Sequence, residues 1–284
     1  MNPRHPQGGK LMIKIAAIQF DSQILAVEQN LERIEKLATQ AAGNGARLLV
    51  FPECAITGYG LSPEEAGALA EPVPGMHSER LEVLCSRLKI YLMAGTLERG
   101  QDGSLYNCAL LAGPQGLISH YRKTHLPHLG VDRYLKPGAA LPPPVQTEIG
   151  RLGTLICYDL RFPEPARCLA LQGAQVVLLS TAWPRAATLY TEFVARARAA
   201  ENRVFLVAAN RCGEERGTQY LGRSLIVDPE GRVLAEASED QETILYAEID
   251  PSHADTKHLI FDPGVYELNT FSDRRPDLYR PLCE

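Results

Sequence analysis

The chain has 284 residues, 45% apolar and 22% charged, the balance of a globular protein with material for one large domain, or two at most. Its net charge of -5 offers no basic surface for nucleic acid, which leaves a small molecule as the default partner.

The first eleven residues, MNPRHPQGGKL, are polar and rich in Gly and Pro, with no apolar h-region. They are expected to be a flexible extension, residues 1–11, before a folded domain over residues 12–284. IKIAAIQF (13–20) reads as a strand. Residues 24–42 follow with Val27, Leu31, Ile34, Leu37 and Ala41 at helical spacing, and Gly43 and Gly45 stop that helix. RLLVFPE (47–53) is a short buried strand, 77–89 a second helix, and YLMAGTLE (91–98) the next strand. Two apolar runs between 105 and 122 are joined by Gly113-Pro114-Gln115-Gly116, a hairpin signal.

KPGAALPPP (136–144) must be irregular. RLGTLICYD then reads as a strand leading into a helix that starts at Pro163, the favoured first-turn proline. QVVLLST is a strand, 187–201 a helix and VFLVAAN another strand. Three more strands are expected up to residue 249, then an irregular tail with room for a short helix. Strands alternating with helices in both halves, with hairpins between and after, predict an α/β fold of mixed sheets covered by helices.

No apolar run is long enough to span a bilayer. The seven cysteines are odd in number and lack a C-x-x-C pair, so they make neither a disulfide framework nor a zinc ribbon. Reduced thiols in a cytoplasmic protein follow as the expectation.

Glu53, Lys123 and Cys157 each come just after an apolar strand run. Active sites of α/β proteins lie beyond the carboxyl ends of strands. A carboxylate, an ammonium and a thiol meeting there can cleave a carbon–nitrogen bond. Cys157 would be the nucleophile, with the following helix N-terminus and Lys123 favouring its thiolate. Glu53 would be the general base and then acid, and Lys123 would hold an oxyanion.

The bland readings are a surface carboxylate, a solvated lysine and a buried structural cysteine. The last is the reading for Cys54, Cys85, Cys108, Cys168 and Cys212. His120, His125 and His128 form H-x4-H-x2-H, which fits no standard metal spacing. Tyr190, Phe193, Val194 and Ala197 form a helical apolar stripe, read as core or subunit interface.

On these residues the chain resembles the nitrilase superfamily of carbon–nitrogen hydrolases, from about Met12 to about Leu282. The resemblance rests on Glu53 in FPECAITGYG, Lys123 in YRKTHL and Cys157 in CYDLRFPE. RARAAEN (196–202) and RRPDLY (274–279) also fit. It implies a four-layer α-β-β-α sandwich with two mixed sheets, paired into a homodimer or larger assembly. It also implies a Glu-Lys-Cys triad that works through a thioester with no metal or organic cofactor.

Many members carry a second glutamate about seven residues before the glycine of a Pro-Gly. Here that position is Val131, and the nearest acid is Asp132, either a support for the site or a partner of Arg133. Cys157-Tyr158-Asp159 is similar to omega-amidases and Nit-type amidases rather than to the Cys-Trp-Glu of many nitrile hydrolysers. That similarity implies a small linear amide as substrate, an oxyanion hole of Lys123 and the Tyr158 backbone N–H, and Arg161 as a substrate-carboxylate anchor. Tyr59 and Trp183, on loops leaving strand ends, are candidate pocket walls. A nitrilase or N-carbamoyl hydrolase with the same triad, a catalytically silent binding scaffold and a redox-sensing thiol protein remain open alternatives.

Overall fold

The computed structural model of the protein describes residues 12–283. The expected extension over residues 1–11 lies outside them. In β1 (Ile13–Gln19) the side chains alternate between two apolar environments. Ile13, Ile15 and Ala17 face one core, and Ala16 and Ile18 face another. This is the period of two of a strand covered on both faces.

The second core is closed by α1 (Val27–Gly43), which lays Leu31, Ile34, Ala38 and Ala41 against the sheet as its spacing predicts. After β2 (Ala46–Val50) come α2 (Pro63–Leu69) and α3 (Met76–Leu88), then β3 (Tyr91–Arg99), β4 (Leu105–Gly113) and β5 (Gly116–Arg122). Leu81 and Leu84 of α3 pack beside α1 in that core. Burying each such leucine contributes roughly 1.5–3 kcal/mol.

The chain continues through β6 (Val145–Thr147), β7 (Gly150–Ile156), α4 (Pro163–Leu171), β8 (Val176–Thr181), α5 (Ala195–Asn202) and β9 (Phe205–Asn210). Five further strands follow, the last of which returns to the first sheet. These are β10 (Glu214–Glu215), β11 (Thr218–Gln219), β12 (Leu225–Val227), β13 (Val233–Glu236) and β14 (Thr243–Ile249). Two six-stranded sheets result, ordered β14-β1-β2-β3-β4-β5 and β13-β12-β9-β8-β7-β6. β1, β2 and β3 are parallel, as are β7, β8 and β9, and the outer strands pair antiparallel.

Leu48, Val50 and Met93 of one sheet meet Leu155, Leu178 and Val207 of the other in a single core, which Ala166 and Leu169 of α4 and Ala195 and Ala199 of α5 share. The result is the four-layer α-β-β-α sandwich, with two mixed sheets and five α-helices among the described residues.

Several details differ from the sequence reading. The strand expected to run to Asp159 ends at Ile156, because the backbone turns at Cys157 into a 3-10 helix over Cys157–Arg161. Three strands were expected between 211 and 249; β10 and β11 make five, since two residues flanking an Arg216-Gly217 turn suffice to pair. The tail is not irregular. It carries a 3-10 turn (Pro251–Asp255) and a hairpin of β15 (His258–Asp262) and β16 (Tyr266–Asn269).

The stripe from Tyr190 to Ala197 is not one buried face. A π-helical turn over Tyr190–Val194 precedes α5 and shifts the register, so Phe193 is exposed while Tyr190 and Val194 pack on the core. Cys54, Cys85, Cys108 and Cys212 are buried, but Cys168 on α4 is exposed, contrary to the reading as a buried cysteine.

Candidate active site

Glu53, Lys123 and Cys157 lie just past the carboxyl ends of β2, β5 and β7. Trp183 lies past β8. The loop carrying Glu53 is tied to the opposite sheet: Ser180 Oγ donates to the Phe51 carbonyl at 2.8 Å, and Glu53 N to the Thr181 carbonyl at 3.4 Å. It also lies against β3, where a Cβ at Gly95 would fall 2.3 Å from Cys54 N and 2.7 Å from Glu53 Cα. Lys123 N donates to the Asn107 carbonyl, and the Lys123 carbonyl accepts from Gly138 N, both at 2.8 Å. Pro137-Gly138 therefore backs the lysine.

The side chains of Glu53 and Lys123 have no exposure, and Cys157 has 5%. Lys123 Nζ sits between two carboxylates, 2.5 Å from Glu53 Oε1 and 2.5 Å from Asp132 Oδ2. Asp132, on the 3-10 turn Gly130–Tyr134, thus takes the place beside the lysine although Val131 holds the expected position. Val131 instead enters the apolar cluster below. The Arg133 side chain turns away, donating to the Gly130 carbonyl.

Asn107 Nδ2 donates to both carboxylates, at 2.7 Å to Glu53 Oε1 and 2.8 Å to Asp132 Oδ1. The Tyr59 hydroxyl donates to Asp132 Oδ2 at 2.9 Å. Tyr59 is therefore not an open pocket wall. Its ring is buried, 5.9 Å behind the Lys123 ammonium.

The electrostatics follow from the burial. Desolvation raises the Glu53 pKa, only partly opposed by Lys123. Burial disfavours the Lys123 ammonium, but Asp132 and Glu53 outweigh it and hold its pKa well above the ordinary value. Burial and then the Glu53 charge push the Cys157 thiol well up, against the pull of Lys123. Lys123 pulls toward the thiolate, as its charge predicts, but burial and the Glu53 charge outweigh it. The thiol interacts with the Glu53 carboxylate, while Glu53 Oε2 is buried with no hydrogen-bond partner of normal geometry. The Glu53 carboxylate beside the thiol thus keeps one oxygen uncommitted.

Cys157 has φ of 45°, in the left-handed region, a conformation that costs a non-glycine residue about 1–2 kcal/mol. Asp159 holds that turn. It accepts from Ile156 N (3.0 Å), from the Tyr121 hydroxyl (2.9 Å) and from His125 N (3.1 Å), and pairs with His125 Nδ1 at 2.7 Å. One buried carboxylate thereby joins the cysteine turn to the loop after Lys123. The Tyr158 amide lies in the first turn of the 3-10 helix, where N–H groups lack intrahelical partners.

At the mouth, the Trp183 ring is buried and stacks on Tyr190 with centroids 4.8 Å apart. Its Nε1 has no partner. The Tyr190 hydroxyl is within electrostatic reach of Cys157, Arg161, Tyr158 and Lys123, and burial first of all raises its pKa to about 12. The Arg161 guanidinium lies 6.0 Å from the Tyr190 ring. It is exposed, and among the described residues the acids near it are paired elsewhere, Glu201 with Arg198 and Asp159 with His125. Among the described residues no three His, Cys, Asp or Glu side chains group as metal ligands. His120 lies 3.9 Å from Glu98, His125 bonds Asp159, and His128 is exposed.

Sequence reasoning missed Asn107, Tyr190 and a deeper brace. Glu215 accepts from Tyr59 N at 3.0 Å and Gly60 N at 2.5 Å, and pairs with buried Arg211 at 2.5 Å. No local pattern marks a contact made across some 150 residues.

The carbon–nitrogen hydrolase family profile matches residues 14–257. A nitrilase of Pyrococcus abyssi is 38% identical over 274 residues, 94% of this chain and 99% of its own length. The deaminated glutathione amidase of Mus musculus is 36% identical over 271 residues, 90% of this chain and 81% of its own. Among solved structures, a glutamate-to-glutamine mutant of the amidase from Nesterenkonia sp. AN1, with acrylamide added to its active-site cysteine, superposes with a TM-score of 0.81 at 28% identity, covering 95% of this chain and 99% of that one. By profile, sequence and fold together, the chain belongs to the carbon–nitrogen hydrolases of the nitrilase superfamily.

Proposed function

We propose that this hydrolase is an amidase that releases ammonia from a small linear amide through a thioester on Cys157. The observation that carries the reading is the buried Glu53 carboxylate, with one oxygen held by Lys123, the other without a hydrogen-bond partner, and the Cys157 thiol interacting with it.

As Cys157 Sγ bonds the amide carbon, its proton passes to Glu53 Oε2. The carbonyl oxygen becomes an oxyanion held by the Lys123 ammonium and the Tyr158 N–H. When the C–N bond breaks, Glu53 returns the proton to the leaving nitrogen, and ammonia departs from a thioester. Glu53 then takes a proton from water as its oxygen attacks. The second oxyanion collapses to the carboxylic acid, and the sulfur leaves with the proton from Glu53.

The unpaired Arg161 guanidinium beside Tyr190 supports a substrate carrying a carboxylate remote from the amide. A nitrile is a second reading, favoured by the name of the Pyrococcus abyssi relative. An ammonia-release panel of half-amides, neutral amides, nitriles and ureido acids tests these readings. Intact-mass detection of an acyl adduct in wild type and Cys157→Ala runs beside it. Ammonia from amides with an adduct at Cys157 is expected; no adduct with any compound would make the protein a silent scaffold.

The same reading includes a homodimer through the outer helices. Leu171, Leu189 and Phe193 are 42%, 41% and 64% exposed on that layer. Sedimentation at micromolar concentration should give a dimer that Phe193→Asp weakens. A fully active wild-type monomer would sink it.

A further inference from the structure

Two carboxylates and one ammonium are buried together in this site, an excess of one negative charge with no exposed side chain to dilute it. Such a cluster ordinarily takes up a proton on one acid. The neutral donors around it are Asn107 and Tyr59. Asp132 is saturated: Oδ1 accepts from Asn107, and Oδ2 from Tyr59 and Lys123. Glu53 is asymmetric, since Oε1 accepts from both Lys123 and Asn107 while Oε2 has no hydrogen-bond partner of normal geometry.

Asn107 is 1% exposed on β4, and both hydrogens of its amide are committed to these two carboxylates. Chemistry fixes that orientation, because an amide oxygen turned toward two carboxylates would be repelled. Its main chain is held too, through its carbonyl and Lys123 N.

We propose that Asn107 is a positioning residue for the reaction: its amide pins Glu53 through Oε1 and so leaves Oε2 unengaged to take the Cys157 proton. This rests on the reading of Glu53 as the base. The ionisable groups facing Glu53 are Lys123, Asp132, Cys157, Cys54, Tyr59 and Tyr220. Tyr59 and Lys123 also act on Asp132, but of the two donors to Glu53 Oε1, Lys123 and Asn107, only Asn107 adds a hydrogen bond without adding charge. Removing a donor to an ionised carboxylate raises its pKa. The acid limb of activity must then move to higher pH.

The test uses Asn107→Leu, Asn107→Ser and Glu53→Gln in the full chain, with two readouts across pH. One is the rate of Cys157 alkylation by chloroacetamide, followed by intact mass. The other is amide hydrolysis. In Asn107→Leu, kcat should fall about 10- to 100-fold with KM nearly unchanged. The acid limb of both readouts should rise by about one pH unit or more. Asn107→Ser, which keeps one donor, should move the same way by less.

An acid limb that stays in place in both variants, whatever the fall in rate, overturns the proposal and leaves Asn107 a structural residue. So does loss of folding in both. A limb that persists in Glu53→Gln removes the base on which the proposal stands. If labelling shifts as expected but no amide is cleaved, the amidase reading fails and the role of Asn107 remains.

Discussion

The floor and the mouth of this site are built on opposite principles. The floor, Glu53, Lys123, Asp132, Asn107 and Tyr59, is buried, and nearly every polar atom there has a partner. The mouth, Arg161, Tyr158, Tyr190 and Trp183, holds an unpaired guanidinium and an unpartnered indole N–H among stacked rings. A saturated floor cannot adapt to a ligand without breaking strong bonds, so it is suited to one fixed chemistry. An unsaturated mouth has contacts left to make, so it is where substrates can be told apart. Changes to the floor should therefore alter turnover, and changes to the mouth should alter choice.

The largest expected effect is at the floor's one free oxygen and its partner. Cys157→Ala should abolish hydrolysis with the fold intact, since a methyl group fits the space. Glu53→Gln should be nearly as inactive, because a neutral amide takes no proton. The pH profile sharpens this. Burial raises the Glu53 pKa, so its basic form is lost at a higher pH than an ordinary glutamate's. The acid limb of kcat/KM should thus lie above the usual carboxylate range, with activity falling as pH falls through it. The thiol and the ammonium are both held well above their usual values. Neither should impose an alkaline limb near neutrality. A limb at the pKa of a free glutamate would show that the buried pair does not govern catalysis.

Next comes the oxyanion donor. Lys123→Ala should lower kcat about 100- to 1000-fold. It also leaves Glu53 and Asp132 facing one another without their cation, so its Tm should fall as well. Turnover within a few-fold of wild type would take Lys123 out of the mechanism.

The brace beneath the floor is expected to show in stability rather than chemistry. Glu215→Ala takes from buried Arg211 its 2.5 Å partner, leaving the Ser22 carbonyl and the more distant Asp21, and frees the Tyr59 and Gly60 amides. Breaking one partner of a buried pair costs about 3–5 kcal/mol, which denaturant unfolding would register. A loss under about 1 kcal/mol would mean that Asp21, 3.6 Å from Arg211, already compensates it.

What the sequence showed and hid follows the same division. Strand-end chemistry was legible because an apolar run followed by Glu53, Lys123 or Cys157 is a local pattern. α1 was legible from its spacing. α2 is signalled too, since Ser62-Pro63-Glu64-Glu65 is a capping box that forms as written.

The support of the floor was not readable. Asn107 is the one polar side chain in the apolar run LYNCALLAG, which marks it as buried but not what it bonds, and its meaning comes from three elements meeting around it. Asp132 differs from the expected acid position by one residue, which a 3-10 turn absorbs by changing which side chain points inward. Tyr190 was hidden by a π-turn that rotates the helix face. The tail hairpin was hidden by the shortness of its strands, five and four residues long.

The smallest predicted effect lies at the mouth. Arg161 carries no ion pair with a described residue and sits over Tyr190, whose hydroxyl is in reach of Cys157. A carboxylate there would accept two parallel hydrogen bonds from the guanidinium, whereas lysine offers a point charge with a different reach. A charge-assisted contact is worth about 1.5–3 kcal/mol, or roughly ten- to a hundredfold in kcat/KM. Arg161→Lys should therefore lower efficiency on a half-amide of a dicarboxylic acid more than on a neutral aliphatic amide. The ratio of the two efficiencies is the measurement, because a general disturbance of the Cys157 turn lowers both alike and leaves it unchanged. An unchanged ratio would assign Arg161 to the packing of Tyr190 and would place substrate choice on another mouth residue, with Trp183 Nε1 the first to examine.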